Sequence, residues 1–185
     1  MQKVLLLMLA FISLAVMGCS NSDDNKLTSG VVGYETFVAA RNEWKEPASY
    51  SYTVYGDTYQ PNAFVIDVKV TKGVSELLLN PKFPNQADSY GGEESEYRQI
   101  ENLGWNIKTI SGIFESIEKE NMYVKTSPSI QMLYDYCLIE IDYAKCNSRA
   151  FPSRIECWGQ NKTKGGYGGG YRKIIKITDF KIMEE

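Results

Sequence analysis

Three carboxylates in the segment "YDYCLIEIDY", Asp135, Glu140 and Asp142, form the most compact set of side chains in this chain that could move protons. Two such groups facing one cleft at about 5 to 10 Å would support acid and base catalysis, as in glycoside cleavage. Strand parity sends Glu140 and Asp142 to one face and Asp135 to the other, so only the first two can cooperate. Histidine is absent from all 185 residues. That removes Ser-His-Asp and Cys-His nucleophile systems and the His-containing zinc and iron sites. Carboxylate chemistry, Lys or Tyr bases and all-oxygen metal sites stay open. A second acidic group, Glu93, Glu94 and Glu96, lies in the aperiodic stretch 80–104 and lacks the alternating oxygen ligands and Gly of a calcium loop. It reads as a solvated loop. No catalytic residue, metal ligand or cofactor is assigned.

Among the four cysteines, Cys19 stands apart by its setting. Lys3, an apolar run from Val4 to Val16 and the small pair Gly18 and Cys19 have the layout of a secretory signal. A membrane-spanning helix would need about 20 apolar residues, more than this run provides. Val16-Met17-Gly18-Cys19 resembles the bacterial lipobox. The resemblance implies cleavage before Cys19, a diacylglycerol on its thiol and acylation of the new amino group. Several acyl chains, at about 0.8 kcal/mol per buried CH₂, would hold the chain to a bilayer. Residues 1–18 are then the signal peptide, and 19–32 a flexible tether, since Ser20 to Lys26 contains nothing apolar to bury. By analogy with enterobacterial sorting, Ser20 after the Cys favours the outer membrane, so the expected location is the cell envelope, facing the periplasm.

Such a location permits disulfides. Cys146 and Cys157 flank a strand connection and are the favoured pair among three pairings, while Cys137 reads as a small core residue. Loss of Lys3 with the signal takes the formal charge from −3 to about −4. No basic patch argues for nucleic acid, and the partners expected are the membrane, through the acyl chains, and an envelope protein or glycan.

The elements that must position these residues follow from periodicity. Tyr34, Phe37, Val38, Arg41 and Trp44 recur at helical spacing, which predicts a helix over 34–45 with Trp44 as a core anchor. Alternation in "SYSYTVYG" and "AFVIDVKV", a turn at Lys72-Gly73 and a third run from Val74 to Leu79 predict an antiparallel meander. Ile107, Ile110, Ile113, Phe114 and Ile117 form the stripe of a second helix. "MLYDYCLIEIDYAKC" reads as a long central strand, followed by "SRIECWG" and "YRKIIKITDFKI", the last two joined across a glycine run from Gly165 to Gly170.

Trp44, Tyr50-Ser-Tyr52, Val68-Lys-Val70 with Gly73, Thr109-Ile110 with Phe114 and Ile117, Ile139-Glu-Ile141-Asp-Tyr143, and Pro152 with Ile155 occur in this order. The pattern resembles a bacterial lipoprotein family catalogued as a domain of unknown function, over roughly Phe37 to Ile182. Ala144 stands where that family often has Asp, and Phe151 where it has Tyr. The resemblance implies an envelope location and a fold, and no activity.

The expectation is one α+β domain over 33–185, an antiparallel sheet of five or six strands with two helices packed on one face. The other face would be partly aromatic, offering Tyr55, Tyr134, Tyr136 and Trp158 as a binding surface. The function expected is a non-catalytic binding or interaction module, the alternative being a carboxylate-based glycan-active enzyme with Glu140, Asp142 and Asp135 as its candidates.

Overall fold

A computed structural model describes residues 29–57, 64–79, 104–161 and 167–183. The lipobox with Cys19, residues 1–28 and the acidic group at 93–96 lie outside the described residues. In chain order the elements are β1 (Gly30–Val31), α1 (Tyr34–Glu43), β2 (Ser49–Asp57), β3 (Phe64–Thr71), β4 (Val74–Leu79), α2 (Ile110–Thr126), α3 (Pro128–Leu133), β5 (Tyr134–Cys146), β6 (Arg149–Asn161) and β7 (Tyr167–Ile182).

The fold is α+β, and its sheet differs from the one expected. Seven strands run in the order β1-β5-β6-β7-β2-β3-β4, and β1 pairs with β5 in parallel, so the sheet is mixed. Three helices, not two, are present among the described residues. The extra strand, β1, falls within the stretch expected as tether. It is short, and it is held by Asn121, whose Oδ1 accepts from the Val31 N–H at 3.1 Å, and by the Val32 N–H donating to the Ile139 carbonyl at 3.0 Å. The extra helix, α3, begins at Pro128, whose fixed φ suits a first helical turn.

Helices α1 and α2 cover one face. Phe37 and Trp44 from the first meet Phe114 of the second at ring separations of 6.0 and 6.5 Å. Trp44, at the end of α1, is buried as expected. Thr109 caps α2, its Oγ1 accepting from the Gly112 N–H at 2.9 Å, so the helix starts later than the stripe suggests and Ile107 packs just before it. Glu46, in the loop after α1, receives hydrogen bonds from Trp44 Nε1 at 2.9 Å and from the Ser111 N–H at 3.1 Å. A carboxylate at that N-terminus complements the helix dipole.

Beneath the helices, Tyr50, Tyr52 and Val54 of β2, Ile66, Val68 and Val70 of β3, Cys137 and Ile139 of β5, Ile155 and Cys157 of β6, and Ile175 and Ile177 of β7 form the core. The turn at Lys72-Gly73 has φ of 51° and 78°, the geometry of a tight two-residue hairpin. Asp179, at φ 53°, lies in a bulge opposite Tyr52. That extra residue brings Phe180 onto the core side, where it stacks on Phe151 at 4.5 Å.

Candidate functional site

Along β5 to β7 and β2, every second side chain points away from the helices. Register places them in rows across the sheet: Leu138, Trp158 and Arg172; Glu140, Glu156 and Ile174; Asp142, Arg154, Lys176 and Tyr55. Tyr136 and Trp158, both half-buried, meet edge to face with ring centroids 5.8 Å apart, and the Tyr136 hydroxyl is hydrogen-bonded to Gln160. Edge-to-face contact fixes both rings while leaving apolar area toward solvent.

Of the four residues expected to form an aromatic surface, the structure therefore unites two. Tyr55 shares the face but lies two strands across and four residues along from Trp158, roughly 16 Å by strand spacing and rise. It lies beneath Lys176, whose Nζ is 5.7 Å from the ring centroid. Tyr134 is on the opposite face and buried, 5.8 Å from Tyr171. The reason is a register shift between Tyr134 and Tyr136, which makes Asp135 an extra residue and cancels the parity that placed both tyrosines together.

Glu140 and Asp142 follow parity, whereas Asp135 is the extra residue of the bulge, and the surroundings of the first two are not those of a catalytic pair. Glu140 and Asp142 are exposed on the open sheet face. Asp142 is 3.5 Å from Arg154, and Glu140 faces Glu156 across the strands. Arg154 and Arg172 both reach Glu156, the latter at 3.5 Å. A cleft of about 390 Å³, lined by Arg41, Glu115, Glu118, Lys119 and Met122, belongs to the helix layer on the other side of the sheet.

The expected bridge between Cys146 and Cys157 is contradicted by register. Cys146 pairs with Arg149 at the hairpin, whereas Cys157 pairs with Ile139, seven residues back along β5, a separation of about 23 Å at strand rise. A disulfide needs Cα atoms within about 7 Å. All three described cysteines are free thiols. Cys137 and Cys157 are both buried, and burial pushes the Cys137 thiol up to about 11 and raises Cys157 as well. Neither is a thiolate at neutral pH, so both are inert core residues.

Sequence reasoning missed a buried polar cluster beside these thiols. Glu120 of α2 accepts from Trp105 Nε1 at 3.0 Å and from Lys173 Nζ at 3.0 and 3.2 Å, and is also hydrogen-bonded to the Tyr171 hydroxyl. Burial, and then Glu120 itself, raises the Tyr171 phenol. The legible signal was spacing, since Glu120 continues the stripe of Ile113, Ile117 and Val124 at helical intervals. Its oxygens are saturated by donors, so it locks α2 to β7 and has no free position for substrate.

Among the described residues, no three His, Cys, Asp or Glu side chains gather closely enough to hold a metal ion, and no helix is long and apolar enough to cross a membrane. Comparison with family models, with curated proteins and with solved structures returns no match.

Proposed function

We propose that this chain is a lipid-anchored lipoprotein of the bacterial envelope, attached through Cys19 to the outer membrane and facing the periplasm. Its folded domain acts as a non-catalytic binding module for an envelope protein or glycan. The proposal includes membership of the lipoprotein family whose residue pattern the chain resembles. The location rests on the signal and lipobox in the sequence. The binding role rests on one observation, the half-buried Tyr136 and Trp158 pair beside Gln160 and Arg172 on the open face. Rigid aromatic rings present contact area at small entropic cost, and neighbouring polar groups supply direction. Glu140 and Asp142 serve this surface as polar contacts.

Trp44 and Trp105 are buried, so Trp158 is the tryptophan whose emission answers to solvent on this face. Titration with soluble peptidoglycan fragments should change that emission, and in-cell cross-linking from position 136 should capture one reproducible envelope partner if the ligand is a protein. A Trp158→Ala variant that retains the same captures and the same fragment affinity would overturn the assignment of this face. Cys19→Ala should abolish acylation. Wild-type partitioning of that variant with membranes would overturn the anchor.

A further inference from the structure

We propose that the corner formed by the start of α1, the end of α2 and α3 rests on the phospholipid bilayer, an inference that depends on the lipid anchor proposed above. Eight large apolar side chains are exposed among the described residues, and six of them belong to this corner: Val32, Tyr34, Met122, Tyr123, Met132 and Leu133. Met132 is 71% and Leu133 53% exposed. The other two, Val74 and Leu78, lie on β4 at the far edge of the sheet. Apolar residues concentrated in one place mark an interaction surface, whereas scattered ones do not.

The six come from elements that touch. Lys125 of α2 holds its Nζ 5.2 Å from the Tyr34 ring centroid, and its carbonyl accepts from Gln131 Nε2 of α3 at 2.9 Å. Arg41, Lys119 and Met122 line one cleft beside them together with Glu115 and Glu118, and Glu118 pairs with Arg41 at 3.8 Å and accepts from the Tyr34 hydroxyl at 2.8 Å, which leaves Lys119 and Lys125 as the cationic stems at its border. Apolar and tyrosyl groups bordered by long cationic stems suit the boundary between headgroups and acyl chains, where the stems lie along apolar surface and the charges reach outward.

What selects a bilayer as the occupant is where the anchor segment meets the fold. Ser29 Oγ accepts from the Cys137 N–H at 3.1 Å, and because β1 is parallel to β5, the chain enters the fold on the α3 side of β5, four residues or about 13 Å of strand from the end of α3. The ten residues from Cys19 to Thr28 can reach at most about 35 Å. Tethering at that length makes contact intramolecular, with a millimolar effective concentration, so a shallow patch suffices. The β4 residues lie across the whole sheet from this point.

The test uses mature lipidated protein in phosphatidylethanolamine–phosphatidylglycerol vesicles, with Cys146→Ser to leave only buried thiols among the described cysteines. An environment-sensitive fluorophore is attached through Met132→Cys or, as the control, Val74→Cys. Brominated lipids should quench the probe at 132 several-fold more than the probe at 74. Introducing Met122→Asp with Leu133→Asp should reduce that difference without changing the unfolding temperature. Equal quenching at both sites, in protein whose intact mass shows the acyl chains, overturns the contact and leaves the anchor standing. Absence of acyl mass overturns both. Self-quenching at 132 without lipid quenching would mean that a second copy covers the patch, and also overturns it.

Discussion

One residue apart on the same two strands, the pair Ile139 and Cys157 is sealed under the helices while Glu140 and Glu156 stand side by side on the open face. The covered row is held by volume, and the polar groups that reach it, Glu120, Tyr171, Lys173 and Trp105, satisfy one another. The open row sets like charges directly opposite, which is unfavourable in isolation. It is tolerated because Arg154 and Arg172 flank Glu156. The difference teaches where this molecule is free to vary: stability constrains the helix side, and contact chemistry can be chosen on the other.

The comparison breaks most sharply at Phe114, fully buried between Phe37 and Trp44. Phe114→Ala should cost about 4 kcal/mol, from lost burial plus a cavity between α1 and α2. Urea unfolding measures this directly, and a loss below about 1 kcal/mol would mean that the helix layer is not the main source of stability.

Next is the buried ion cluster. Lys173→Met leaves the Glu120 carboxylate with only Trp105 and Tyr171 as donors. Stranding a buried charge costs about 3 to 5 kcal/mol, and the partial exposure of Lys173 brings the expected loss to about 2 kcal/mol. Adding Glu120→Leu should recover at least half of it, because the stranded charge is then gone. Additive losses in this double-mutant cycle would show that the two side chains do not interact.

Most of the elements were legible because they obey one period each. In the meander from β2 to β4, β3 alternates from Ile66 to Thr71, and the apolar stripe of α2 recurs every three or four residues. What could not be read were events that break a period or have none. An extra residue at Asp135 moves Tyr134 into the core, and another at Asp179 turns Phe180 against it, partly buried. Two residues of β1 carry no pattern, and only the parallel pairing with Leu138 and Ile139 makes them a strand. The cysteine pairing failed for a similar reason: nearness across a turn in sequence said nothing about register, which sets Cys157 opposite Ile139. At the candidate surface, Trp158 and Tyr136 were visible as residues, while their meeting depended on the β5–β6 register.

A smaller effect separates the faces by pH. Burial raises Cys137 from 9.0 to about 11 and raises Cys157, Tyr52 and Tyr171 in the same direction. The folded chain then keeps protons that the unfolded chain has already released. Stability should be level below about pH 8.5 and fall as pH rises toward 11, by up to about 1.4 kcal/mol per pH unit for each titrating group. Cys137→Ala should flatten part of that decline in urea midpoints taken between pH 8 and 11. An unchanged slope would remove Cys137 from the groups that drive it.

The smallest effect belongs to the open face. Arg154 is within ion-pair distance of Asp142 and Glu156, but its side chain is 39% exposed, and Asp142 is more exposed still. Solvent screens such contacts, so Arg154→Ala should change stability by no more than about 0.5 to 1 kcal/mol, less at high salt. Part of that loss comes from Glu140 and Glu156 repelling once the cation is gone, and Glu140→Gln in the same chain should restore it. A loss of several kcal/mol from Arg154→Ala would mean that the charge ladder holds the sheet together. The open face would then be a structural surface like the one under the helices, and Trp158 could no longer be altered there without disturbing the fold.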